Sequence, residues 1–329
     1  MGWEEIEDPR CGPDEVLVDV RACGVNHSDL DSRAGTSRWP FTMPWVLGAE
    51  FAGPVAEVGA DVEGIAAGDP VSAYQQFACG SCPRCTSWRE DLCQRFTVFG
   101  TDCWGGYAEL VRVPARAVIP LRSDDDFVAA AAAQCAVSTA WSMVAKVAGV
   151  RPGEAVLVPS ASGGVASAAV QAAKLAGAMV IASVGSPEKI EAVRALGADA
   201  VFCYRETPVG EAVRAATGDG GVDAVVDTTG GPLFADHLAA LRPDGRFVTC
   251  GAHAGEVVSL DIVELFRNGH RILGFRVASP QEIREALDLV LGGRIEMPVD
   301  RTFPMSEAAA AHAYVDERRH VGKVLLVRE

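Results

Sequence analysis

Val156-Leu-Val-Pro-Ser160-Ala-Ser162-Gly163-Gly164-Val165-Ala166 decides the fold. Three apolar residues read as a short buried strand, a Ser/Gly turn follows, and residues 165–176 repeat apolar side chains at helical spacing. A second apolar run at 179–184 completes the order strand, turn, helix, strand. In that context the turn lets backbone approach a pyrophosphate, whose charge meets the first amides of the helix. Ser162, Gly163, Gly164 and Val165 are the candidate contacts, with Ala166 where a third glycine often stands. Working outward, 187–196 reads as the next helix and 222–227 and 245–250 as later strands, so residues 136–275 form a doubly wound parallel α/β unit that binds a dinucleotide. Thr228 and Gly251, in the loops after those strands, complete the candidate cofactor set.

Residues 1–135 read differently. Short alternating runs such as Glu15-Val-Leu-Val-Asp-Val-Arg21, punctuated by Gly, Pro and Asp, predict a mostly β domain. After Gly274 come a helix at 280–291 and a strand at 323–327, and this tail, 276–329, is expected to rejoin the first domain.

A chain of 329 residues with 49% hydrophobic and 22% charged residues suits two packed domains. Its net charge of −15 opposes attraction to nucleic acid or to an anionic membrane, so neither is expected as a partner. Apolar runs such as 129–133 are far short of a membrane span, and the opening MGWEEIEDPR has no signal-peptide pattern, which predicts a cytoplasmic protein.

Four of the ten cysteines, Cys79, Cys82, Cys85 and Cys93, are spaced C-x2-C-x2-C-x7-C. Four thiolates in so short a stretch close tetrahedrally on one Zn²⁺ and leave no position open for substrate, which predicts a structural site. Gly80, Ser81 and Pro83 supply the tight turns; four unrelated thiols would not need them.

An NAD site usually ends its second strand with an acidic residue that holds the ribose hydroxyl. Here Val184 is followed by Gly185-Ser186-Pro187-Glu188-Lys189, which offers a hydroxyl and an ammonium where a 2′-phosphate would lie. NADP(H) is therefore expected, with Ser186 and Lys189 as contacts. Ser186 and Pro187 would also serve as the cap and first residue of the next helix, with Lys189 on its solvated face.

Gly24-Val-Asn26-His-Ser-Asp29, Leu47-Gly-Ala49-Glu50-Phe-Ala-Gly53, the cysteine tetrad, Gly105-Gly-Tyr-Ala-Glu109, the Gly163-Gly164 turn and the ending Gly322-Lys-Val-Leu stand in one order along the whole chain. In that order the chain resembles the medium-chain dehydrogenase/reductases. The resemblance implies a GroES-like catalytic domain made from both chain ends, a Rossmann domain between them, a small-molecule substrate, and a homodimer formed through the Rossmann sheet. Cys203-Tyr204-Arg205 resembles a quinone-reductase segment in which the tyrosine borders the adenosine phosphate, which adds Tyr204 to the cofactor set. The loops at 36–44 and 96–104 are expected to line the pocket. The N-terminus is short for the family, which usually opens with an extra strand before the equivalent of Trp3-Glu-Glu-Ile6.

The departures from the family carry the chemistry. Its alcohol dehydrogenases hold a catalytic zinc through a cysteine, a histidine in a G-H-E stretch, and a later cysteine or acid. Here those first two positions are Asn26 and Ala49, and only Cys135 and the flanking Glu50 remain. That set falls short of the three protein ligands a catalytic zinc uses, unless Cys23, His27 or Asp29 completes an irregular site. Asn26 at this position is also the mark of the zinc-free quinone and enone reductases, whose acceptors take hydride at carbon and spread the charge by conjugation. The sequence thus predicts NADPH-dependent reduction of a quinone or of the conjugated C=C of an enone or enal. Asn26 and Ser28 are the candidate donors to the developing enolate oxygen, with Thr139 beside the nicotinamide. Asn26 would equally suit a turn, and Ser28 a cap on the turn at 29–33. His253 reads as a surface-loop histidine. The alternatives are a carbonyl reductase or alcohol dehydrogenase with an irregular zinc site, and a non-catalytic cofactor-binding protein akin to the crystallin-like relatives.

Overall fold

The computed structural model describes residues 1–37, 43–122 and 127–328. By its contacts the chain divides into one unit of Met1–Cys135 with Ser279–Glu329, and a second of Ala136–Ala278. The return to the first unit falls at Ser279, the residue that caps the helix Pro280–Leu291 through a reciprocal capping box with Glu282.

In the second unit six strands lie in the order Ala200–Cys203, Met179–Val184, Ala155–Val158, Val222–Asp227, Leu241–Thr249, Arg271–Gly274, every pair parallel. Numbered along the unit this is 3-2-1-4-5-6, the Rossmann order. It places the topological switch point beyond the carboxyl ends of Ala155–Val158 and Val222–Asp227. The strands read as apolar runs because both faces are covered; Val156, Leu157, Ile181, Val225 and Phe247 have no exposed surface. Two details differ from the sequence reading. The strand expected at 245–250 begins at Leu241, and the helix expected at 187–196 is a single 3₁₀ turn, Pro187–Lys189, running into the α-helix Ile190–Ala195.

In the first unit a mixed sheet runs Val299–Pro304, Lys323–Val327, Ala22–Val25, Glu50–Val58, Glu15–Asp19, Leu110–Pro114, with Pro70–Ala73 branching from Glu50–Val58 and Val118–Pro120 pairing in turn with Pro70–Ala73. Residues 1–12 belong to no strand or helix. Register makes the functional geometry. Val324 faces Val25 and Gly24 faces Glu50, so the neighbours Lys323, Asn26 and Glu50 gather at one end of three adjacent strands.

The alanine-rich stretch is longer as a helix than its apolar runs suggested. An α-helix, Phe127–Trp141, passes into a π-helical turn, Ser142–Ala148. The 22 residues Phe127–Ala148 are long and apolar enough to cross a bilayer by length and composition, but 67% of the most apolar window is buried inside the protein. Small side chains are what this packing requires. A Cβ on Gly24 would lie 2.7 Å from the Ala131 carbonyl and 2.6 Å from a Glu50 carboxylate oxygen, so the helix, the strand and the carboxylate meet where there is no room for a side chain.

Candidate active site and metal lobe

The four cysteines come together. A two-strand ribbon, Gln76–Phe77 with Thr97–Val98, and a helical turn, Pro83–Thr86, fold the stretch back so that all four sulfurs lie within 4.8 Å of one another. Individual separations are 3.4 Å for Cys82–Cys85, 3.9 Å for Cys79–Cys85 and 4.0 Å for Cys82–Cys93. A tetrahedron with Zn–S near 2.3 Å has edges of about 3.8 Å, so the set fits one zinc. Backbone amides of Cys79 and Arg95 donate to the Cys93 sulfur, and hydrogen bonding led by the Ser81 amide holds the Cys79 thiol at about 5, favouring the thiolate a metal needs. When bound, the metal would brace this lobe. Cys82→Ser is expected to lower thermal stability while leaving turnover per folded molecule nearly unchanged; an equal loss of both would place the lobe in the chemistry.

In the second unit the chain turns sharply at Ser160, whose φ of +51° is unusual for a residue with a side chain. The helix Gly164–Leu175 then starts with Gly163 as its N-cap and no side chain on its first amides. Lys189 reaches across this turn, its ammonium 3.3 Å from the Ser162 hydroxyl. Tyr204 lies over Gly185, where a Cβ would be 2.8 Å from the phenol oxygen. Thr228 and Gly251 are neighbours at the carboxyl ends of their strands, with 2.3 Å between a Cβ on Gly251 and the Thr228 carbonyl. Asp227 holds that corner by accepting from Thr229 and from the Gly230 amide. One acidic group does stand near the adenosine corner: the Ser186 hydroxyl bonds the exposed Glu188 carboxylate and holds its pKa below the ordinary value.

Asn26 caps the helix His27–Ala34, and its backbone amide donates to Asp29 at 2.9 Å. Its side chain is held by two ions of opposite sign. The Lys323 ammonium donates to Asn26 Oδ1 at 2.7 Å, and Asn26 Nδ2 donates to Glu50 Oε2 at 3.1 Å. Lys323 and Glu50 close the triangle with an ion pair of 2.7 Å. The second Glu50 oxygen accepts from the Cys135 amide at 2.6 Å, and Lys323 also donates to the Val25 carbonyl at 3.2 Å. Glu50 and Lys323 are 0% and 3% exposed, whereas Asn26 is only partly covered and Ser28 is exposed. Thr139 is buried in the helix Phe127–Trp141, in the other unit.

Two family models cover most of the chain, an alcohol dehydrogenase GroES-like domain at residues 12–123 and a zinc-binding dehydrogenase at residues 164–292. An alcohol dehydrogenase of Geobacillus stearothermophilus is 34% identical over 90% of this chain and 87% of its own length. The chain is a medium-chain dehydrogenase/reductase. The crystal structure of an NAD-dependent alcohol dehydrogenase superposes on this medium-chain dehydrogenase/reductase with a TM-score of 0.93 at 38% identity, covering 99% of this chain and 95% of that one. An acryloyl-coenzyme A reductase of Sulfurisphaera tokodaii is 28% identical over 98% of this chain and 95% of its own length.

Sequence reasoning missed one residue of this dehydrogenase/reductase's cluster, Lys323. It stood only as part of the Gly322-Lys-Val-Leu ending, and nothing local places it beside Asn26, 297 positions away. Burial opposes its charge, but Glu50, with Cys135, more than offsets that and raises the ammonium pKa above 10.5. Asp29, which also accepts from the Gly48 amide at 3.2 Å, is pushed up to about 6 by burial. A carboxyl raised in this way supports folding fully below 3.8 and progressively less as pH rises through 6. The Tyr107 hydroxyl links Asp29, at 3.4 Å, to the buried His312, at 3.1 Å, whose imidazole burial holds neutral down to about 4. His253 is exposed, and of the loop at 36–44, residues 38–42 lie outside the described residues.

Proposed function

We propose that this oxidoreductase uses NADPH to reduce a quinone or the conjugated C=C of an enone or enal, without a catalytic zinc. The observation that carries the proposal is the Lys323–Glu50–Asn26 triangle, in which Asn26 stands where the family's alcohol dehydrogenases carry a zinc cysteine and Glu50 flanks Ala49, where they carry a zinc histidine. The donor set does not fit a divalent cation. Ala49 offers no donor, the Asn26 amide is bonded on both edges, and Glu50 is neutralised by a buried ammonium that a metal would have to displace. Nor are Cys23 and Asp29 poised to replace the missing ligands. Both are buried, and the Asp29 oxygens already accept from Asn26, Gly48 and Tyr107. Among the described residues the cysteine tetrad is the one cluster suited to a metal.

NADPH supplies hydride from C4 of its nicotinamide. Hydride addition to an aldehyde leaves the charge localised on one oxygen, which asks for a Lewis acid, whereas a conjugated acceptor spreads the charge to an oxygen that hydrogen bonds can hold until a proton from solvent completes the product. Asn26 has a second N–H for that oxygen, with Ser28 beside it in sequence and Thr139 assigned to the nicotinamide. Ser162, Gly163, Gly164, Val165, Thr228 and Gly251 would hold the pyrophosphate and nicotinamide half. Spectrophotometric NADPH oxidation against quinones, enones and aldehydes tests the reaction; turnover of aldehydes alone would refute it.

The cofactor choice rests on Lys189, at the Ser162 hydroxyl, and on Tyr204 over Gly185, with no acid at the end of the strand Met179–Val184. Glu188 works against a 2′-phosphate, but it is exposed and its charge is screened by solvent. Lys189→Ala is expected to weaken NADPH by about 1.5–3 kcal/mol and NADH much less. Titration of cofactor fluorescence checks it, and equal or better affinity for NADH in the parent protein would overturn the assignment.

We also assign a homodimer. Arg271–Gly274 is an edge strand, and around it Ile272, Phe266, Ile262 and Val257 are exposed apolar side chains, an arrangement that a second copy would cover by edge pairing. Light scattering should give twice 34.5 kDa; a monomer at micromolar concentration would rule it out.

A further inference from the structure

We infer that Lys323 is a positioning residue. Together with Glu50 it sets which edge of the Asn26 amide is the donor and which the acceptor, and so aims an N–H rather than a carbonyl at the reacting oxygen. This rests on Asn26 being the donor of the proposed reaction, and it adds a residue that touches neither substrate nor cofactor.

An asparagine amide can usually turn over, because its oxygen and nitrogen are nearly the same size. Here the two neighbours forbid it. The ammonium can only donate and the carboxylate can only accept, so Oδ1 must face Lys323 at 2.7 Å and Nδ2 must face Glu50 at 3.1 Å. The reverse orientation would set an NH₂ against the ammonium and a carbonyl against the carboxylate. Both ions are themselves fixed, Lys323 by the Val25 carbonyl and Glu50 by the Cys135 amide. A clamp of this kind holds the donor in place before charge develops, as transition-state stabilisation by hydrogen bonding requires. The remaining Nδ2 hydrogen is the one available to the acceptor.

The chain suits a direct test, because it contains two asparagines, Asn26 and Asn268. Selective ¹⁵N-asparagine labelling therefore gives two side-chain NH₂ pairs, the second serving as an internal reference on an exposed helix end. The informative variant is the double one, Glu50→Gln with Lys323→Met. No unpaired charge remains buried, so thermal stability should return close to that of the parent, unlike Lys323→Met alone. Gln at position 50 can still accept from the Cys135 amide, but it presents N–H where the carboxylate presented oxygen, and the Asn26 amide should turn over. The expected result is a shifted Asn26 NH₂ pair with at least tenfold faster solvent exchange, and a kcat at least tenfold lower at little-changed KM. An Asn26 pair that stays where it was, or a kcat that recovers along with stability, would overturn the inference. If the parent protein reduces no conjugated acceptor, the proposed function fails, while the NMR result still decides the amide's orientation.

Discussion

Replacing Lys323 with methionine is expected to lower the unfolding free energy by about 3–5 kcal/mol, as removal of one partner of a buried pair generally does. The cause is the group left behind. Glu50 has no exposed surface, and without the ammonium its charge is compensated only by the Cys135 amide and the Asn26 NH₂. The folded pKa of Lys323 is raised, so the pair's contribution is fully present below the unfolded value near 10.5 and is lost as pH rises through the folded one. The deficit of the variant should therefore be constant from neutral pH to about 9 and shrink only above that. Urea unfolding at several pH values measures this. A loss below about 1 kcal/mol, typical of an exposed pair, would mean that Glu50 is not held as described.

The second large effect concerns catalysis. Asn26→Ala should remove about 2–4 kcal/mol of transition-state stabilisation, in the range found for other oxyanion donors. It should appear in kcat more than in KM, because the hydrogen bond strengthens only as charge reaches the oxygen. Stopped-flow measurement of NADPH oxidation with saturating enone gives the number. An unchanged kcat would reduce Asn26 to its capping role at the helix His27–Ala34, where its backbone bond to Asp29 does not depend on the side chain.

The local parts of this structure were legible in the sequence, and the parts made by register were not. The run from Val156 to Ala166 carries its own strand, turn and helix signals, and the structure has the strand Ala155–Val158 and the helix Gly164–Leu175 there. The cysteine lobe is likewise contained within a few turns, so spacing alone brought the four sulfurs together. The ends of the 187–196 helix and of the 245–250 strand were misplaced because apolar periodicity does not distinguish a 3₁₀ entry turn or a longer strand with polar residues at its start. Glu188 was passed over because it lies beyond the strand end where an acid is sought, yet its side chain folds back to Ser186. Lys323 is the clearest case. A lysine inside a strand of apolar residues reads as an edge or a solvated end, and only the pairing of Lys323–Val327 with Ala22–Val25, and of that strand with Glu50–Val58, turns it into the counter-ion of Glu50.

The most direct test of a zinc-free conjugated reduction is the rate of NADPH oxidation by a quinone or activated enone before and after removal of loosely held metal, with zinc counted on the same sample. One zinc per chain, held by Cys79, Cys82, Cys85 and Cys93, and a rate unchanged by the chelator are the results expected from the Lys323–Glu50–Asn26 triangle. Tight NADPH binding with no turnover on any acceptor would favour a non-catalytic cofactor-binding protein. Two zincs per chain with chelator-sensitive oxidation of an alcohol would contradict the mechanism outright, because a Lewis acid would then stand where the buried Lys323 ammonium holds Glu50 and Asn26.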